Sequence, residues 1–426
     1  MALYSHQQKV DACTYPTDSM SSAEPQGLQA FPEELSTREA WLEPYGWYRE
    51  MRENEPVRYD PGRNSWDVFR YADVKRILND DATFSVDPEK ATDFVEPEGE
   101  GEGLILDTML FEDPPRHDDL RGVVEDSFRP RAIRELEPRI RELTREILDD
   151  ALEGEGEMDL VSEFAYPLPV VVIAELLGVP VEDRDRFKEW SDAIVSSASD
   201  DEGGAEFAER QQEVQREMGF YFLQLIEERR ENPRDDLIST IATAEIDGEP
   251  LPREEVLGTC ILLLVAGNIT TTNLITNAVR CFGENDLFGT YTDAGAVPTP
   301  AIEETLRYRA PVQAMTRIAT EDVTVGGETI GAGDRVIAWM GSANRDDRQF
   351  PEGDSFVPDR SPNQHLGFGH GTHYCLGAPL ARLEAEVALS ELFDRLAGVE
   401  FADARLQPTR SSFIYGVESL PLRYSV

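Results

Sequence analysis

Lysine is nearly absent from this chain of 426 residues, limited to Lys9, Lys75, Lys90 and Lys188. Basic residues number 40 against 84 acidic ones, a formal net charge of −44. Such a surface repels nucleic acid phosphates and anionic lipid headgroups, so neither is expected as a partner. Cysteine is scarce as well. Cys13, Cys260, Cys281 and Cys375 are widely spaced, which excludes the disulfide framework of a small secreted domain. No run approaches the ~18 apolar residues of a membrane span. The N-terminus lacks a basic and then apolar leader. These absences set the expectation of a soluble, cytoplasmic protein that touches no membrane. No internal repeat and no second domain is found.

What is present centres on His365-Leu366-Gly367-Phe368-Gly369-His370-Gly371-Thr372-His373-Tyr374-Cys375-Leu376-Gly377. Cys375 sits in a glycine-rich loop just before a helical stretch at 378–396. Backbone N–H groups there favour a thiolate over a thiol. The glycines let backbone pass close to a large flat ligand. A thiolate so placed can be an axial ligand of haem iron. A zinc site from His365, His370, His373 and Cys375 is an alternative, but it lacks the two separated ligand pairs usual in structural zinc sites. An inert buried thiol and a Cys/His nucleophile are the others.

The stretch from Phe368 to Gly377 resembles the haem-binding signature of the cytochrome P450 family, F-G-x-G-x-H-x-C-x-G, with every fixed position filled. Ala378-Pro379-Leu380-Ala381-Arg382-Leu383-Glu384 continues it as in soluble prokaryotic members. The resemblance implies a mainly α fold with small β-sheets, one large helical domain enclosing a haem b. Residues 1–35 would be a mobile arm and 36–426 the haem domain. Cys375 would be the thiolate ligand, with Phe368, Gly369, His373 and Gly377 around it.

Asp113-Pro114-Pro115-Arg116-His117-Asp118-Asp119-Leu120-Arg121 is similar to the family's D-P-P-x-H-x-x-x-R segment. His117 and Arg121 are four apart, hence on one helical face. The resemblance makes them donors to the haem propionates, joined by Arg317. Glu304 and Arg307 match the family's E-x-x-R helix, a buried structural ion pair. Ala266-Gly267-Asn268-Ile269-Thr270-Thr271 resembles the A-G-x-[D/E]-T-T segment of the oxygen-binding helix. That assigns Ala266, Gly267, Asn268 and Thr270 to the catalytic region. Ile269 departs from the pattern, standing where the family usually has an acid.

Hydrophobic periodicity predicts helices over 44–54, 71–78, 130–152, 160–177, 181–197, 205–230 and 252–282. Short strands are expected at 57–59, 66–69 and within 323–337, with final strands that include 413–416. By resemblance, the two helices flanking a turn at 199–204 form a lid, and Leu104 to Leu110, Val312, Ala314 and the 413–416 turn reach the pocket.

The activity implied is a monooxygenase. It would take O₂ and two electrons from NAD(P)H through a ferredoxin-type partner and oxidise a small, hydrophobic organic substrate. No flavin or iron–sulfur motif is found, so ferredoxin and reductase would be separate proteins and the enzyme a monomer. A peroxide-driven or non-oxygenating haem-thiolate enzyme is the alternative, and a haem sensor or electron carrier the third. The acidic excess resembles that of halophilic archaeal proteins. At ~1 M salt the Debye length falls to about 3 Å, which screens the self-repulsion.

Overall fold

The computed structural model describes residues 31–95, 108–154, 156–180, 183, 186, 187, 190, 204–402, 405–409 and 411–426. From the N-terminal side, α1 (Tyr45–Asn54) leads into the hairpin β1 (Val57–Asp60) and β2 (Ser65–Val68), then α2 (Tyr71–Asn79) and β3 (Phe84–Ser85). Next come α3 (Arg116–Phe128), α4 (Glu137–Ala151), β4 (Glu157–Asp159), α5 (Pro167–Leu177) and α6 (Gly204–Glu231). The long α7 (Arg253–Glu284) and α8 (Thr299–Tyr308) precede β5 (Met315–Ala319) and β6 (Arg335–Ala338). The chain closes with α9 (Ala378–Arg395), β7 (Gly398–Phe401) and β8 (Pro421–Ser425).

Helix α7 is the axis of the molecule. Glu254 and Glu255 in its first turn complement the helix dipole. Its apolar residues surround the whole cylinder, as expected of a core helix. It packs against α5, α6, α8 and α9. By length and composition it could cross a membrane, but 72% of its most apolar window is buried inside the protein. The main core joins α3, α4, α5, α7 and α9. A second packs α2 on the sheet. A third is aromatic, around Trp41, Tyr48, Phe69 and Trp339.

The larger sheet has the order β1-β2-β6-β5-β3. β6 runs parallel to β2 and antiparallel to β5, with Val336 opposite Arg317. That register places Arg317 on a central strand. A smaller sheet, β7-β8-β4, closes the far end.

Several expectations change. The 130–152 helix is two, Pro130–Glu135 and α4, with a break at Leu136. Pro138 has no N–H to carry the ladder back to residue 134. The 160–177 stretch opens as a π-turn, Val161–Ala165, and becomes α-helical only at Pro167, for the same reason. It ends at Gly178, φ +88°, where a Cβ would lie 2.3 Å from Asp236. Residues 413–416 form no strand; Ile414 makes one isolated bridge to Val312. The arm boundary at 35 falls inside packed structure, since Leu35 is buried and Phe31 stands edge-on to Trp41 at 5.2 Å. Residues 1–30, Leu104 to Asp107, and most of 181–197 and the 199–204 turn lie outside the described residues.

Candidate haem-thiolate site

The loop before α9 is built by its own backbone. Gly369 N–H donates to Leu366 at 2.9 Å, Tyr374 N–H to Gly371 at 3.0 Å, and Cys375 N–H to Phe368 at 2.9 Å. Gly369 and Gly371 have φ of +74° and +76°. At Gly371 any Cβ would also come within 2.7 Å of the Leu78 carbonyl oxygen. So the loop closes against the end of α2 only with glycine there.

Cys375 is exposed, yet burial still pushes its thiol up. A sulfur that is accessible yet desolvated by the protein around it is read as lining a recess rather than an open convex surface. The N–H groups of Gly377 and Ala378 and the charges of Arg121 and Arg382 work in the opposite direction and favour the thiolate. Gly377 has an ordinary φ of −77°. Among the described residues, and apart from its chain neighbours and its own helix backbone, the only atom within 4 Å of its missing Cβ is Cys375 Sγ, at 4.0 Å. Room is therefore left directly beside the sulfur.

Four donors converge nearby. His117 and Arg121 come from α3, His373 from the loop and Arg317 from β5. The His117 and His373 rings are 4.3 Å apart. His373 Nε2 is buried with no partner. Burial, then Arg317 and His117, lower His373 to about 3. Arg317 is 6% exposed and pairs with no described carboxylate; its guanidinium donates only to the Thr316 carbonyl, at 2.8 Å. Burial lowers it to about 10. An unpaired buried guanidinium costs several kcal/mol. A cluster of donors without a buried acid is chemistry arranged for an anion, and two propionates fit it.

On α7, Ala266 is exposed while Leu262, Leu263 and Leu264 are buried. Gly267, Ile269 and Thr270 are half-buried, and Thr270 Oγ1 donates to the Ala266 carbonyl at 2.8 Å. The helix thus opens on unfilled space at the Ala266–Thr270 turn. Asn268 is on the other side, 1% exposed, with Thr272 Oγ1 3.5 Å from its Oδ1. Among the described residues no three His, Cys, Asp or Glu gather to hold a metal ion. His365 instead turns to Glu303 at 3.0 Å, which removes the zinc alternative.

Residues 297–406 match the family model described as Cytochrome P450. Cytochrome P450 109 of Bacillus spizizenii is 43% identical over 396 residues, covering 92% of this chain and 94% of that protein. The erythromycin C-12 hydroxylase of Saccharopolyspora erythraea is 43% identical over 383 residues, covering 88% and 93%. The crystal structure of CYP109E1 from Bacillus megaterium in complex with testosterone superposes with a TM-score of 0.82 at 41% identity, covering 92% of this chain and 100% of that one.

The chain belongs to the cytochrome P450 family. It is an oxidoreductase of the monooxygenase class, and its cofactor is haem carried on a cysteine thiolate.

In this P450 the Glu304–Arg307 pair is fully buried at 2.8 Å. Glu304 also takes Arg360, Asn363 and the Val357 N–H, at 2.8 to 3.1 Å. Arg307 fills its remaining donors with the carbonyls of Asn344, Gly353 and Ser355. Every donor has a use, so the pair fixes the 344–363 meander behind the haem loop. Ala314, read from the sequence as pocket wall, packs instead in the aromatic core; Val312 is half-buried and bridged to Ile414. A groove of about 560 Å³ lies elsewhere, lined by Asp118, Asp119, Gly122 and the 244–247 turn. Its lining carries the carboxylates of Asp118, Asp119, Glu245 and Asp247, so it is no apolar substrate pocket.

Two groups escaped the sequence reading. Glu303 joins His365 to Arg382, and Glu384 is buried without a visible partner for Oε2. Only their neighbours in the chain, Glu304 and the haem loop, were legible.

Proposed function

We propose that Cys375 is the proximal thiolate of a monooxygenase that takes two electrons from NAD(P)H through a ferredoxin-type donor and a separate reductase. The substrate is a small, hydrophobic organic molecule into which one oxygen atom is inserted. The observation that carries this reading is the pairing of an exposed thiol with a donor cluster beside it: His117 and Arg317 are buried, Arg121 and His373 are half-buried, and among the described residues Arg317 has no carboxylate partner and His373 Nε2 no partner, while His117 Nδ1 meets the exposed Asp118.

Haem bound there supplies the binding and reduction of O₂. The chain's own residues do the rest. Arg317, Arg121, His117 and His373 bind the propionates and so fix the orientation of the ring. Gly377 leaves the sulfur open, and the Gly377 and Ala378 N–H groups hold its negative charge. Thr270 spends its proton on the Ala266 carbonyl, which leaves its oxygen lone pairs to accept from a water in the pocket. Val312 and the half-buried Ile414 border the substrate. The whole functional unit is one domain that includes the packed residues Phe31 and Leu35 and runs to Val426, acting as a cytoplasmic monomer. The net charge of −44 suits a high-salt interior, and a halophilic source is part of the proposal.

The named relatives give the substrate search a start. Two similar structures are described as complexes with testosterone and with corticosterone, so apolar compounds of steroid size head a screen for a low-spin to high-spin Soret shift, run in high salt. With a compound from that screen, a ferredoxin system and ¹⁸O₂, the product should gain one labelled oxygen. Product without label would contradict the reading.

A second reading has one specific observation behind it. Ile269 is half-buried beside Ala266 and Thr270 and carries no proton. That favours use of peroxide, which brings its own protons, over reduction of O₂.

A further inference from the structure

A network of interactions lies beneath the haem loop. His365 Nδ1 accepts the Gly367 N–H at 3.1 Å. Its Nε2 therefore carries the proton and donates to Glu303 Oε2 at 3.0 Å. Glu303 accepts Arg382 through both oxygens, at 2.7 and 3.0 Å. Arg382 in turn reaches the Tyr374 hydroxyl at 3.2 Å. Its guanidinium lies 4.5 Å from the centre of the Phe368 ring. Phe368 is the residue whose carbonyl accepts the Cys375 N–H. The network thus runs from the Gly367 N–H to the side chain of Phe368, whose carbonyl holds the Cys375 N–H, and passes through one cation and one anion.

We propose that Glu303 is a positioning residue that sets the electron donation of the Cys375 thiolate, by holding and partly neutralising the Arg382 cation. The proposal rests on Cys375 being the haem ligand. It concerns the thiolate's charge environment rather than its identity as ligand.

The charges support this division of labour. Arg382 is among the groups that stabilise the Cys375 thiolate, together with Arg121. Burial alone would raise the Glu303 carboxyl, but the hydrogen bonds from His365 and Arg382 outweigh it and hold it at about 2. Glu303 is therefore a fixed anion at any pH where the protein works. His365 adds a donor through Nε2 while its Nδ1 accepts the Gly367 N–H, and Arg382 and Glu303 are the network's bidentate cation–anion pair. The bidentate geometry keeps the guanidinium over Phe368 instead of letting it swing to solvent. A cation near a thiolate ligand draws electron density from the iron and favours the reduced state. An anion behind the cation moderates that pull.

The test is a redox titration of three holoproteins, read together with the C–O stretch of their reduced CO forms. Glu303→Gln keeps the hydrogen-bonding shape and removes the anion. It should raise the haem reduction potential and the C–O stretching frequency. Arg382→Gln removes the cation and should lower both. Arg382→Lys restores the charge and should return the potential toward wild type. All three should keep the red-shifted Soret band of a thiolate-ligated CO complex, which separates this proposal from the ligand assignment; only Cys375→Ser should lose that band. A purely structural role would move Glu303→Gln and Arg382→Gln in the same direction. That result, or an unchanged or lowered potential in Glu303→Gln with the thiolate band intact, overturns the proposal, even if Arg382→Gln fails to hold haem.

Discussion

Arg121 donates to the carbonyl oxygen of Tyr374 at 3.0 Å. This one bond ties helix α3 to the residue before Cys375, so a group that reads as a propionate donor also helps fix the loop. Arg317 has no such second task. It is buried, and among the described residues its one acceptor is the neighbouring Thr316 carbonyl.

The two arginines should therefore separate in experiment. Arg317→Ala and Arg121→Ala should both speed haem transfer to a scavenger such as apomyoglobin, since each removes a charged partner of a carboxylate, worth about 2–5 kcal/mol if buried. In haem-free protein, Arg317→Ala should leave the melting temperature unchanged or raised, because it removes an uncompensated buried cation. Haem loss at the wild-type rate in both variants would refute the clamp.

Glu384 supplies a pH prediction. It is 2% exposed, its Oε2 has no partner among the described residues, and burial raises it to about 8 from 4.5. A carboxyl whose folded value lies above its unfolded value binds its proton more tightly when folded. Its unfavourable effect is absent below about 4.5, grows as pH rises, and is complete above about 8, reaching roughly 4–5 kcal/mol. Glu384→Gln should match wild type in denaturant stability near pH 4.5 and exceed it increasingly toward pH 8. A constant difference across that window would show that Glu384 does not titrate with folding.

How far the chain could be read without its structure differed from place to place. The Cys375 loop was legible because glycines that must turn, the start of a helix and a thiol are all local in sequence. The His117–Arg121 pair was legible as one helical turn. Convergence of Arg317 with them was not; it depends on the β5–β6 register and came only from family resemblance. Asn268 shows a limit of the motif itself. At about 100° per residue it lies about 200° from Thr270, and the structure packs it beside Thr272. The Glu303–Arg382 contact joins residues 79 apart, which no periodicity reveals. The breaks at Leu136 and Tyr166 were readable in principle, since Pro138 and Pro167 stand just after them.

Ile269 bears on proton delivery. Cleaving the O–O bond of O₂ needs protons at the distal oxygen, and a positioned acid typically contributes ~10²–10⁴-fold. Ile269→Glu or Ile269→Asp should raise product formed per NAD(P)H consumed, measured with saturating ferredoxin and a substrate from the spin-shift screen. Tight coupling in wild type, with no gain in the acid variants, would show that another group carries the protons.

The charge of −44 predicts that stability rises with KCl beyond the range where ordinary screening saturates. A melting temperature flat from low to multimolar salt would refute the halophilic reading.

The most direct test of the whole account is the absorption spectrum of the dithionite-reduced protein under CO, for wild type and Cys375→Ser. Wild type should show the red-shifted Soret band of thiolate ligation, and the serine variant should lack it. A serine variant that keeps that band, or a wild type that never shows it, would contradict the assignment of Cys375.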